Sequence, residues 1–135
     1  MTAPTAEVIA DASALLAIVS ALPVEPPEVR SVFAPDSALT DVIAVLRSFH
    51  GGRPSDVLGD VAVIGIHVHQ WLPTFRFATT LAGLALDHPD ESVSDLVAIA
   101  TARALDLPLV TGLAHLATLD PGAEVIVLPR RDVSN

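Results

Sequence analysis

Val8-Ile9-Ala10-Asp11-Ala12-Ser13-Ala14-Leu15-Leu16 is an apolar run interrupted by a single acid. It reads as a short buried strand that ends on Asp11 and turns at once into an apolar helix. A charge at the C-terminal end of a parallel strand sits where open α/β sheets bind ligands. Leaving a buried carboxylate without partners is costly, so Asp11 is either a helix-starting residue or a metal ligand.

The residues on either side repeat this pattern. Glu7 to Ala10 is the first strand, and the Ala- and Leu-rich stretch from Ala12 to Leu22 is a helix, stopped by Pro23-Val24-Glu25-Pro26-Pro27. Ser31 to Pro35 is a second strand. Asp36 or Ser37 caps the next helix, which runs to about Phe49, with Leu39, Val42, Ile43 and Leu46 at helical spacing and Asp41 carried within it. Ser55 to Gln70 reads as a helix to about Ile64 and then an extended crossing segment, because Val61 to Val68 suits either state. A helix starting near Pro73 covers the stretch to Leu86. Asp87-His88-Pro89-Asp90-Glu91 is an acidic turn, and Ser92 or Ser94 starts a helix through Leu105. Leu109 to Thr111 is a strand, Ala114 to Thr118 a short helix, Asp120-Pro121-Gly122 a turn and Glu124 to Leu128 the last strand. Short apolar strands alternating with helices imply a parallel sheet covered on both faces. No repeat or linker divides the chain, so residues 1–135 are expected to form one domain, with about 129–135 a frayed tail.

Composition narrows the function. The chain is 51% hydrophobic over 135 residues, which suits one folded core. No uninterrupted apolar run reaches membrane-spanning length, and the first residues lack a basic segment, so a cytoplasmic protein without membrane contact is expected. The absence of cysteine excludes thiol catalysis and cysteine zinc sites, and the absence of lysine excludes a lysine Schiff base and a P-loop. A net charge of -9 is unusual for a nucleic-acid binder. It fits plain solubility, a basic partner, or a carboxylate cluster neutralised by a divalent cation.

Four segments in order carry a family resemblance: Val8 to Leu16 with Asp11 and Ser13; Ala34 to Leu46 with Asp41; Ser94-Asp95-Leu-Val-Ala-Ile-Ala; and Pro108-Leu-Val-Thr111-Gly112. Together they resemble a PIN domain, and within that family the VapC-type toxins of bacterial toxin–antitoxin pairs. The resemblance implies a three-layer α/β fold, with a five-stranded parallel sheet and helices on both faces. It further implies a Mg²⁺- or Mn²⁺-dependent endoribonuclease whose acids gather at the C-terminal edge of the sheet. Asp11 and Asp95 match the first and third acids. Asp41 stands where the family usually has Glu, one methylene shorter, and suits action through water. The fourth acid position is Leu113, which offers no ligand, so the site is expected to be partly degenerate and cleavage slow or absent. Ser13 and Thr111 match supporting hydroxyls, Ser13 through a hydrogen bond that orients Asp11. The implied partners are RNA, a cognate antitoxin and a second copy of the chain. The alternative is a non-catalytic binding module that keeps the antitoxin, dimer or RNA contacts.

Mg²⁺ and Mn²⁺ take oxygen ligands, so paired aspartates are chemically apt. Clustered carboxylates also repel, so at least one acid is expected above its ordinary pKa. His67-Val68-His69, read as alternating positions of one strand face, has no other ligand nearby and is taken as a surface pair. His115 is read as an exposed helix residue. Trp71, Phe75 and Phe77 are read as packing residues, and Arg47, Arg53, Arg76 and Arg103 are scattered phosphate-contact candidates.

Overall fold

Five short strands pair side by side in the computed structural model, which describes residues 7–26, 31–119 and 122–130. They are β1 (Glu7–Ala10), β2 (Ser31–Pro35), β3 (Val68–Leu72), β4 (Leu109–Thr111) and β5 (Val125–Val127), in the order β3-β2-β1-β4-β5 and all parallel. Parallel neighbours need crossovers, which α1 (Ala12–Ile18), α2 (Ser37–Phe49), α3 (Pro54–His67), α4 (Ala78–Asp87) and α5 (Val93–Leu105) provide. Two 3₁₀ turns, Thr74–Phe77 and Ala114–Thr118, complete the described elements.

Alternation along the strands separates the two helical layers. Val8, Ala10, Val32, Ala34 and Val68 pack against Leu15, Val42, Leu46 and Ile64 of α1, α2 and α3. Ile9 and Leu109 face the other way, toward Leu84 of α4 and Leu96, Ile99 and Ala102 of α5. Helix α5 is the most enclosed: Leu96 to Ala102 are all buried, and Thr101 turns its hydroxyl onto the Val97 carbonyl at 2.8 Å. This is the expected three-layer α/β architecture.

Three local readings need correction. Helix α3 continues to His67 and passes into β3 with no intervening turn residue, so the helix does not end near Ile64. Trp71 and Leu72 belong to β3, and helical structure resumes only at Thr74. Val57, Val61 and Ile64 sit at helical spacing against the core, and that packing outweighs the strand preference of β-branched residues. Helix α1 stops at Ile18 rather than Leu22, because Ser20 takes a left-handed conformation at φ 61. Pro129 is not frayed: its carbonyl accepts the Glu25 N–H at 2.8 Å, and Arg130 bridges Val24. The expected turn at 120–121 and the tail from 131 onward lie outside the described residues.

The strand order fixes where a ligand fits. β1 and β4 are adjacent, yet α1 leaves β1 toward one face while the 3₁₀ turn after β4 buries Leu116 on the other. The chain ends therefore diverge beyond these two strands and leave a crevice at the carboxyl edge of the sheet. Asp11 follows β1 and Thr111 ends β4.

Candidate metal centre

Asp11 is the N-cap of α1, its Oδ1 accepting the Ala14 N–H at 2.9 Å. Capping is only part of its role. Ser13 Oγ donates to the same oxygen at 2.6 Å, as the sequence suggested, and Thr111 Oγ1 donates to Oδ2 at 2.5 Å. Ser13 Oγ accepts the Gly112 N–H at 2.7 Å, and Thr111 Oγ1 accepts the Leu113 N–H at 3.0 Å. A hydroxyl has one hydrogen, and both hydroxyls direct theirs at Asp11, so the 3.2 Å approach of Ser13 to Thr111 is packing rather than a further bond. Glycine at 112 makes the close approach possible, since a Cβ there would stand 3.3 Å from Ser13 Oγ.

Around this network lies a cleft of about 450 Å³ lined by Asp11, Asp41 and Asp95, together with Ser37, Ser94 and Leu113. The three expected acids therefore do share one cleft, as does the leucine that replaces the fourth. Asp41 rises from α2 and Asp95 from the first turn of α5, where Ser94 Oγ donates to Asp41 Oδ1 at a long 3.5 Å. Ser13 lines the cleft as well, whereas Thr111 is fully buried beneath it.

Burial pushes the Asp11 carboxyl above its ordinary pKa; the bonds from Ser13, Thr111 and Ala14 pull it back, and Asp95 adds a further upward push. Burial also raises Asp95, followed by repulsion from Glu91 and Asp41, while His115 opposes the shift. The expected upward shift is present, but desolvation rather than mutual repulsion is its main cause.

The donors lining the cleft are carboxylate and hydroxyl oxygens, which suit a hard divalent cation. Among the described residues, no arginine lines the cleft or lies within ion-pair distance of Asp11, Asp41 or Asp95. Asp11, Asp41 and Asp95 are the carboxylates that such an ion would meet in this cleft.

The remaining sequence candidates lie elsewhere. His67 closes α3 and donates Nδ1–H to the Val63 carbonyl at 2.9 Å, whereas His69 lies in β3 with its ring edge-on to Phe33 at 5.4 Å. The two histidines therefore do not share a strand face. Phe77 is buried in the α4–α5 layer, Trp71 packs partly buried on the opposite layer, and Phe75 is 89% exposed. Arg47, Arg53, Arg76 and Arg103 are all exposed, and Arg53 pairs with Asp56 at 3.0 Å.

One neighbour was missed. Glu91, read only as part of an acidic turn, places Oε2 3.3 Å from His115 Nε2, and Asp95 Oδ2 lies 3.9 Å from the same nitrogen. The available signal was the four-residue spacing of Glu91 and Asp95 across the start of a helix, which brings two side chains together. Comparison with models of known protein families and with curated proteins gives no match.

Proposed function

We propose that the cleft holds Mg²⁺ or Mn²⁺ and that the protein is a weak metal-dependent endoribonuclease of the PIN, VapC-like kind. The observation that carries this reading is the convergence of Asp11, Asp41 and Asp95 on one cleft at the carboxyl edge of the sheet, beside the divergence of β1 and β4. Asp11 and Asp95 would hold the ion. When bound, it would supply an activated water and positive charge at the phosphate. Ser13 and Thr111 hold Asp11 in one orientation, one hydroxyl on each carboxylate oxygen, and Asp41 would orient water. Hydrolysis joins the water oxygen to phosphorus, breaks the bond to one ribose oxygen and returns a proton to that leaving oxygen. Leu113 adds no charge to the cleft, and losing one stabilising group commonly costs on the order of a hundredfold in rate.

A second reading, a non-catalytic binding module, is favoured by two features of the cleft. Leu113 lines the cleft, and three donors already occupy the Asp11 oxygens. An antitoxin segment bearing arginine would then pair with Asp95 or Asp41 where the ion would sit, and a second copy of the chain would form a dimer. The net charge of -9 supports a basic partner.

Mn²⁺-dependent cleavage of single-stranded RNA separates the two. The nuclease reading expects slow cleavage that Asp11→Asn abolishes and Leu113→Asp raises, by as much as about a hundredfold. Equal cleavage by the parent and Asp11→Asn exposes a contaminant. Absence of cleavage in both the parent and Leu113→Asp leaves the binding module as the function.

A further inference from the structure

The cleft is not the only group of metal donors. Glu91, Asp95 and His115 each present one donor atom, and the three atoms all lie within 4.8 Å of one another. They come from three places: the turn before α5, the first turn of α5 and the 3₁₀ turn after β4. We infer that they form a site for a late first-row divalent cation of the zinc class, separate in chemistry from the oxygen-lined cleft.

Three observations point to this ligand. First, the donor set is mixed. Imidazole with two carboxylates suits Zn²⁺, Co²⁺ or Ni²⁺ better than Mg²⁺, which prefers oxygen and keeps its waters. Second, the spacing is close to what a shared ion needs. Metal–ligand bonds of about 2.0–2.2 Å put neighbouring donors about 3–3.5 Å apart. Glu91 Oε2 is already 3.3 Å from His115 Nε2, and Asp95 Oδ2 is 3.9 Å from it. His115 is 48% exposed and Glu91 25%, so both side chains have room for the remaining adjustment. Third, the negative charge is poorly matched. Glu91 and Asp41 each repel Asp95 at this edge, and among the described residues no arginine lies within ion-pair distance of any of the three. Among the described residues, His115 is the one basic side chain within 4.0 Å of Glu91 or Asp95. A divalent ion at this site would balance both carboxylates directly.

Asp95 is common to both groups of donors. The inference needs it only as a ligand and does not require the cleft to be catalytic.

Calorimetric titration of the full chain with Zn²⁺, repeated with Mg²⁺, tests the site. The expected result is one Zn²⁺ per chain, with affinity lowered about tenfold or more by His115→Gln and by Glu91→Gln. His67→Gln and Asp11→Asn should leave it within about twofold, and Mg²⁺ in large excess should not displace Zn²⁺. Substitution by Co²⁺ should add visible absorption bands that His115→Gln removes. Unchanged Zn²⁺ affinity in His115→Gln, or loss in His67→Gln instead, would overturn the site. So would absence of binding, which leaves an ordinary histidine–carboxylate ion pair. Because Asp11 belongs to the cleft and is not a member of the Glu91–Asp95–His115 group, Mn²⁺ binding lost in Asp11→Asn while Zn²⁺ binding persists distinguishes the two centres.

Discussion

Two aspartates occupy the same place in successive β–α units and meet opposite fates. Asp11 joins β1 to α1, and Asp36 joins β2 to α2. Asp11 is buried, caps its own helix and is held above its ordinary pKa by desolvation. Asp36 is exposed and makes no side-chain cap; its Oδ1 accepts both the Thr74 N–H at 3.0 Å and the Thr74 hydroxyl at 2.6 Å, across 38 residues. Those bonds hold its carboxyl below the ordinary value. Both side chains accept well-formed hydrogen bonds, so the bonds alone do not set the sign. Removal from water does: Asp11 sits in the central crevice, and Asp36 lies one strand further out, in solvent.

The largest effect is expected where the buried acid loses a donor. Thr111→Val keeps the shape but removes the hydroxyl that serves Asp11 Oδ2 and the Leu113 N–H. It should destabilise the fold by about 1–3 kcal/mol in urea unfolding at neutral pH, because buried polar groups are left unsatisfied. The loss should shrink in acid, where a protonated Asp11 needs fewer donors. A cost of a few tenths at neutral pH would show that the carboxylate does not depend on Thr111.

Asp11→Asn sharpens the comparison with a smaller effect of opposite sign. The raised pKa means that the folded state holds its proton more tightly than the unfolded state. The penalty is absent below the unfolded value near 3.8 and grows as pH rises through the folded value. The variant should therefore gain stability over the parent as pH climbs, with little difference in strong acid. The new amide keeps the acceptor for Ala14 and turns its N–H toward Thr111 Oγ1, whose hydroxyl is then free to donate to Ser13. Thermal melts of both proteins across pH measure this; a gain independent of pH would refute the burial account.

Asp36→Ala is the smallest change. It should cost about 0.5–1 kcal/mol, at the low end for lost hydrogen bonds because the site is exposed. A lowered pKa gives stability that is present above the unfolded value and lost as pH falls through the folded value. The deficit should hold at neutral pH and fade only in strong acid. If Asp36→Ala instead gained stability with rising pH, as Asp11→Asn should, the two junctions would be equivalent and the contrast would fail.

The sequence made the strand–helix junctions readable, but not what each acid touches. The bounds of β1, β2 and β4 follow from short apolar runs that end in an acid, a proline or a threonine–glycine step. The meeting of Asp11, Asp41 and Asp95 in one cleft was expected from the family resemblance of the segments that carry them, not from any one residue's surroundings. The passage from α3 to β3 was hidden because Val61 to Val68 carries no glycine or proline to mark it, and tertiary packing decides where the helix stops. Asp36 and Ser37 looked like a helix cap, yet the partner of Asp36 is Thr74, which no local spacing reveals. Glu91 was hidden for the same reason: its nearest counterpart, His115, comes from a distant turn.

The bond between Asp11 and Thr111 joins residues 100 positions apart. Closing so long a loop delays a contact relative to those made within one β–α unit. On a growing chain, Asp11 and Ala14 leave the ribosome well before β4 does. Until then the acid at the head of α1 lacks the hydroxyl that completes its shell, and neither the cleft nor the crevice beneath it exists. Whatever the cleft does, it does only once the chain has been made past β4.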